Sequence, residues 1–288
     1  MTFLCVDIGG TNTLLGVGED RFSEIEKLKT EDFLKNVGNE IEKILNSIGS
    51  TRSEVEKVAV AAAGPIDMDK NMFYPPNIDE VDSIDLGDLL GFAKELEIIN
   101  DCTAAVLGEY HHGDHDSDNI VYLTISSGIG AGVIIDGEVL KGVDGNFGEV
   151  GHMRVGEKLD CGCGGQGHWE AYCSGNNMPQ MAEELFDADF ESSREIFDEY
   201  QKKNSKAEKT IAKMHEFNVY GISNLVNLYN PDKVILGGAL PLNHPELIIE
   251  PLKEEVGEES VNKAPEISIC DLKEESVIHG LQVVCKEE

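Results

Sequence analysis

The apolar positions of this 288-residue chain fall into short runs closed by glycine rather than into long amphipathic stretches. Residues 3–8, "FLCVDI", form a run of buried type stopped by Gly9-Gly10, and "TLLGVG" at 13–18 follows at once. Such a pair predicts strand, tight turn, strand. Helical spacing predicts a helix over 33–48, and "KVAVAAAGPID" at 57–67 predicts a central strand ending at a Gly-Pro turn. "ELEIINDC" at 95–102 predicts another strand, and "TAAVLGEYH" after it has helical composition, which places Asp101 at the carboxyl end of a strand.

From residue 119 the opening pattern returns in "NIVYLTISSGIGAGVIIDGEVLKG", an apolar strand, a Ser/Gly turn and a second strand, with Asp136-Gly137 marking a hairpin. The two halves echo each other. Residues 178–230 read as mainly helical, 232–240 as a strand running into a glycine turn, and 276–285 as a closing helix or short strand. Alternating strands and helices argue α/β in both halves. The length suits two lobes of roughly 100–150 residues. The expected division is a smaller N-terminal α/β lobe over 1–108, joined by a C-terminal helix over 276–288, and a larger α/β lobe over 109–275.

Composition narrows the function classes. With 41% hydrophobic and 27% charged residues the chain is that of a folded soluble protein. The opening "MTFLCVDIGGTN" carries no basic stretch before an apolar segment, and no window approaches the roughly 18 apolar residues of a membrane span. The expectation is a cytoplasmic protein without a membrane partner. Seven cysteines without a secretion signal read as free thiols or metal ligands. The net charge of -32, from 55 Asp+Glu against 23 Lys+Arg, repels nucleic acid and suits work in high salt, where screening collapses self-repulsion. Any nucleotide site in such a chain must create its own local attraction.

Several short segments carry candidate chemistry. "DIGGTNT" places Asp7, Gly9, Gly10, Thr11, Asn12 and Thr13 at a strand–turn–strand corner. There glycines admit backbone amides to a phosphate, Thr11 and Thr13 can donate to its oxygens, and Asp7 can hold hydrated Mg2+. A plain hairpin is the competing reading. "TISSGIGAG" repeats the device with Thr124, Ser126, Ser127 and Gly128. Two such corners, one in each half, fit a nucleotide gripped from both sides across an interlobe cleft.

Asp101 beside Asn100 stands where open α/β sheets do chemistry, placed to accept a proton from a hydroxyl attacking a phosphoryl group; the alternative is a helix cap. "GNFGEVGH" brings Glu149 and His152 together among glycines, and "VILGGAL" ends a strand in Gly237-Gly238, suited to a flat ring. In "CGCGGQGHWE" Cys161 and Cys163 flank one glycine, His168 follows five residues later, and His152 lies nine residues upstream of Cys161. Two thiolates and two imidazoles make a tetrahedral zinc set, structural because no position is left for water. Cys173 is a competing ligand, and a glycine-rich loop with buried thiols is the rival reading. Cys5, Cys102, Cys270 and Cys285 sit in or beside apolar runs as core residues.

Taken together and in this order, the segments resemble the ROK family of sugar kinases and repressors, over nearly the whole chain. The match runs through Asp7–Thr13, Asn100-Asp101, the turn at 124–132, Gly-Glu-x-Gly-His at 148–152, Cys-x-Cys-Gly-x-x-Gly-x-x-Glu at 161–170 and Gly237-Gly238. The resemblance implies a two-lobed actin-like ATPase (ribonuclease-H-like) fold with an interlobe cleft. It also implies ATP-dependent phosphorylation of a hexose at C6, with Asp101 as base. Asn100, Glu149, His152 and Glu170 would bind sugar hydroxyls, Asn77 would add a further contact, and Gly237-Gly238 would face adenosine. The family's zinc ligands, one His and three Cys, correspond to His152, Cys161, Cys163 and position 168, which here is His. Imidazole in place of thiolate lowers the site's negative charge and keeps a ligand zinc accepts. That zinc would pin the loop 152–173 that carries His152 and Glu170.

Glucose is the favoured substrate, with fructose and N-acetylhexosamines as alternatives within the family, and a homodimer is implied. Repressors of the family carry a DNA-binding domain ahead of the kinase-like body, and a phosphate motif beginning at residue 7 leaves no room for one. A non-catalytic sugar-binding regulator is the alternative of another class, against which Asp101 and both phosphate turns speak.

Overall fold

In the computed structural model, residues 2–64, 66–67, 70–74 and 83–287 are described. Alternation decides the first strand. In β1 (Thr2–Ile8), Leu4, Val6 and Ile8 enter one hydrophobic cluster, so Phe3, Cys5 and Asp7 share the opposite face. Gly9 and Gly10 turn the chain into β2 (Asn12–Gly18), antiparallel to β1 with Ile8 opposite Thr13. β3 (Phe22–Lys29) adds a strand that the sequence pattern does not predict. Its apolar residues Phe22, Ile25 and Leu28 stand three apart, a helical spacing, and its strand state is imposed by pairing with β2.

The single helix expected over 33–48 is two, α1 (Thr30–Lys35) and α2 (Val37–Ser47), parted at Asn36, whose φ of -139° is not helical. α2 buries Val37, Ile41, Ile44 and Leu45 in the cluster with Leu4, Val6 and Ile8. Each such side chain contributes about 1.5–3 kcal/mol by leaving water. β4 (Val55–Ala62) runs parallel to β1, is central as expected, and stops at Ala62, just ahead of the Gly-Pro pair at which the sequence pattern ends it. Ile66–Asp67, β5, opens a small sheet with β6 (Met72–Phe73) and β7 (Ile84–Asp85). After α3 (Leu86–Leu90), β8 (Glu95–Asn100) runs parallel to β4, and α4 (Asp101–His112) begins at the next residue. The sheet order is β3-β2-β1-β4-β8.

The second half builds the same pattern. β9 (Ile120–Ile125) and β10 (Ile129–Ile135) are antiparallel, and β11 (Glu138–Val139) flanks β10. Then come α5 (Trp169–Cys173), α6 (Met178–Phe186), α7 (Ser193–Gln201) and α8 (Ser205–Tyr229). β12 (Lys233–Gly237), α9 (Ala239–Asn243), α10 (Pro245–Glu259) and β13 (Glu266–Ile269) follow. β12 is parallel to both β9 and β13, giving β11-β10-β9-β12-β13. Each sheet is thus a meander extended by two parallel strands. The closing segment is α11 (Ser276–Lys286), a helix whose buried residues include Ile278, Leu281, Val283 and Val284.

Two compact units result. One holds the residues up to His115, Val139–Phe147 and those from Glu274 onward, and the other holds Asp116–Glu138 and Gly148–Lys273. The boundary expected after residue 108 falls inside α4, which packs against α11 within the first unit. Their approach is close: a methyl group on Gly280 would stand 1.7 Å from the Ala104 carbonyl oxygen, and one on Gly108 2.0 Å from that of Ser276. Glycine at both positions lets backbone meet backbone.

Candidate active site

In the first unit the ends of β1 and β8 bring two carboxylates together. Asp7 lies level with Ala61 of β4, and the next β4 residue, Ala62, lies level with Asn100. Burial pushes the Asp7 carboxyl up to about 8, and the charge of Asp101 adds to the rise. Burial also raises Asp101, opposed by the Cys102 amide that donates to its Oδ1 at 2.7 Å. The capping alternative is resolved in favour of Asn100. Its Oδ1 accepts from the amides of Cys102 at 2.8 Å and Thr103 at 3.2 Å, which leaves its Nδ2 to donate elsewhere.

The β1–β2 turn is held from within. The Gly9 amide donates to the Asn12 carbonyl at 3.1 Å, and Thr30 Oγ1 donates to the Gly9 carbonyl at 2.6 Å. Thr13, expected to face a phosphate, is wholly buried with its Oγ1 3.0 Å from Thr30 Oγ1, so it props the turn rather than its rim. Gly10 and Thr11 form the exposed rim, and Asn12 accepts from Lys29 Nζ at 3.2 Å. Asn77 lies outside the described residues.

In the second unit the start of β10 gathers three further candidates. The Ile129 amide donates to Glu170 Oε2 at 2.9 Å, and Gly128 lies so close that a methyl group there would be 2.7 Å from the same oxygen. Gly148, with φ +91°, presses on β10 where a methyl group would stand 1.8 Å from the Ala131 carbonyl oxygen. Its own carbonyl accepts the Ala131 amide at 2.9 Å. The glycines of "GEVGH" therefore let Glu149 and His152 dock on the strand that also holds Glu170.

Gly238, with φ +87°, approaches the turn from the other side: a methyl group there would lie 2.7 Å from Thr124 Oγ1. Beside these residues is a pocket of about 300 Å3, walled by Ser126 and Ser127, by Gly175-Asn176, by Ser192 and by Ala239. Gly175 and Asn176 were not among the sequence candidates. Their signal is the turn cluster "SGNN" at 174–177, which has no periodicity to mark it.

The cysteine segment folds into a tight turn in which the Cys161 amide donates to Gly165 and the Gly164 amide to Cys161. One ligand atom from each of His152, Cys161, Cys163 and His168 lies within 4.8 Å of all the others. Cys161 Sγ is 3.7 Å from His152 Nδ1, and Cys163 Sγ is 3.2 Å from His168 Nδ1. Ligands about 2.0–2.3 Å from a tetrahedral ion stand at such separations, so the residues fit zinc. His152 turns its Nε2 to Glu149 at 3.6 Å, the second contact a metal-bound imidazole commonly makes. Cys173 is outside the cluster, with its thiol donating to the Met214 carbonyl at 3.3 Å. Of the cysteines read as core residues, Cys5, Cys102, Cys270 and Cys285 are all buried. No helix among the described residues is long and apolar enough to cross a membrane.

A sheet order repeated in two units, each with a glycine-and-hydroxyl corner at its leading hairpin, defines the two-lobed actin-like ATPase class. Residues 3–282 match the model of the ROK family, and the chain belongs to that family. It is 32% identical over 274 residues to a glucokinase of Aeropyrum pernix, covering 85% of this chain and 84% of that protein. It is 30% identical over 249 residues to a glucokinase of Pyrobaculum calidifontis, covering 85% and 82%. The crystal structure of a ROK hexokinase from Thermus thermophilus superposes with a TM-score of 0.81 at 28% identity, over 98% of this chain and 97% of that one.

Proposed function

We propose that the protein is an ATP-dependent hexose kinase that converts glucose to glucose 6-phosphate. The observation that carries the reading is the Asp7–Asp101 pair at the ends of β1 and β8. On this reading Asp101 takes a proton and Asp7 holds the cation that accompanies a nucleotide. Kinship with proteins named glucokinase supports glucose over fructose and N-acetylhexosamines.

Asp101, made more basic by burial, accepts the proton of the sugar's 6-hydroxyl as that oxygen attacks the γ-phosphoryl group. Asn100 Nδ2 donates to a neighbouring hydroxyl, since its Oδ1 is committed to the helix cap. Glu149, His152 and Glu170 bind further hydroxyls, with Glu170 oriented by the Ile129 amide. Gly10, Thr11, Ser126, Ser127 and Gly128 bind phosphate oxygens through amides and hydroxyls, and Gly237-Gly238 borders the adenosine. When bound, Mg2+ neutralises phosphate charge near Asp7. Structural zinc on His152, Cys161, Cys163 and His168 would tie the turn at 161–165 to His152 and, through His168, to the start of α5. The enzyme works in the cytoplasm, where its thiols stay reduced, as a homodimer, and its charge of -32 supports a high-salt setting.

The test is a panel of hexoses with ATP and Mg2+ at low and high salt, reading ADP release and locating the phosphate by NMR. Absence of turnover with every hexose overturns the proposal, and sugar binding without turnover favours the non-catalytic regulator.

A further inference from the structure

Two thiols meet inside the first unit, one from its first strand and one from its last helix. Cys5 stands on β1 with Phe3 and Asp7, on the face turned away from Leu4, Val6 and Ile8, and α11 packs against that strand. On α11, Ile278, Leu281 and Cys285 follow one another at intervals of three and four residues, so they form one buried stripe. The two elements bring Cys5 Sγ to 3.8 Å from Cys285 Sγ, across 280 residues of chain. Among the described residues each thiol has the other as its hydrogen-bond partner.

The two sulfurs differ in access and in acidity. Cys5 is 0% exposed, whereas Cys285, in the last turn of α11, is 6% exposed. Burial, and after it the Cys285 sulfur alongside, holds the Cys5 thiol well above its ordinary range, so it stays protonated at neutral pH. A small oxidant therefore meets Cys285 first. Helix ends open locally at low free-energy cost, and such opening admits a small molecule to that sulfur. Once Cys285 is oxidised its partner is already at van der Waals contact, and side-chain rotation is enough to bring the two sulfurs to bonding distance.

We propose that Cys5 and Cys285 form an oxidation site, at which a hydroperoxide converts the two thiols to a disulfide that staples α11 to β1. Cys285 attacks the peroxide, an S–O bond forming as the O–O bond breaks, and the thiol proton leaves on the departing oxygen as water or an alcohol. The Cys5 sulfur then attacks the sulfenic sulfur. The S–S bond forms, the S–O bond breaks, and the hydroxyl departs as water with the Cys5 proton, so the two electrons lost by the thiols are those taken up by the peroxide. A dithiol reductant reverses the change. β1 carries Asp7, and α11 packs against α4, the helix that begins at Asp101, so the staple would tighten the frame of both carboxylates. The thiol pair stands whether or not the protein is a kinase.

The test treats the full-length protein with hydrogen peroxide, digests it without reduction and maps the peptides by mass spectrometry. The expected product carries the Cys5 peptide joined to the Cys285 peptide, and dithiothreitol restores both thiols. The melting temperature of the oxidised protein should rise by about 5–10 °C, because the cross-link closes a loop spanning nearly the whole chain in the unfolded state. Cys285→Ala is expected to abolish both the link and the rise, and mapping of the unsubstituted protein decides the question even if that variant folds poorly. A Cys161–Cys163 link with Cys5 and Cys285 still thiols overturns the site. So does Cys285 driven to sulfinic acid with no link to Cys5, or no reaction at either sulfur. A Cys5–Cys285 link that leaves the melting temperature unchanged overturns the staple.

Discussion

Asp7 and Asp101 repel each other: burial and the Asp101 charge together hold the Asp7 carboxyl at about 8, against 3.8 in an open chain. Without Mg2+ the native state therefore keeps a proton on Asp7 that the unfolded chain has lost. Between pH 4 and 8 the folded form binds more protons, so stability falls as pH rises through that window, by up to about 1.4 kcal/mol per pH unit, and levels off above it. Asp7→Asn is expected to flatten this slope and to stabilise the protein most above pH 8. Urea unfolding at pH 5, 7 and 8.5 without divalent cations checks it, and an unchanged slope in D7N would assign the dependence to other groups.

Asp101→Asn keeps the shape of the side chain and removes the carboxylate proposed as the base. Turnover is expected to fall about 10²–10⁴-fold while hexose affinity stays within a few-fold. A coupled ADP assay and titration calorimetry separate the two effects. Wild-type turnover in D101N would refute the assignment.

Cys161→Ser removes one of four clustered ligands, and the buried thiol it replaces is part of the turn that sets Cys163. The variant is expected to lose zinc and to bind hexose more weakly, because the support of His152 loosens. Elemental analysis of the purified variant decides the first point, and normal metal content would overturn the ligand set.

Trp169 starts α5 between His168 and Glu170, is wholly buried, and donates its indole N–H to Asn218 Oδ1 at 2.8 Å. Asn218→Leu leaves that N–H unpaired and is expected to cost about 1–3 kcal/mol. Because α5 carries Glu170, the hexose KM should rise with the loss of stability. Thermal melts and kinetics together check this, and an unaltered KM would confine Asn218 to a packing role.

Much of the first unit was legible as pattern. Leu4, Val6 and Ile8 alternate, so β1 and its buried face could be read directly, and the echo of its hairpin at 120–135 was visible for the same reason. β3 was not, because Phe22, Ile25 and Leu28 mimic a helix and pairing with β2 overrides that spacing. Thr13 is a similar case. Composition marked it as a phosphate donor, but whether a hydroxyl faces inward depends on Thr30, seventeen residues away.

Residue chemistry and short-range order are written in the chain, so the glycine corners, the Asn-Asp pair and the Cys-x-Cys segment stand out as candidate sites without any fold. Which of them meet is a matter of long-range packing. The separation of Asp7 from Asp101 is bridged by β4, Glu170 meets β10 through one amide, and Cys173 is left out of the metal cluster because α5 turns it toward α8. Contacts across tens of residues cost chain entropy that only a completed core repays, and no local stretch of sequence records that balance.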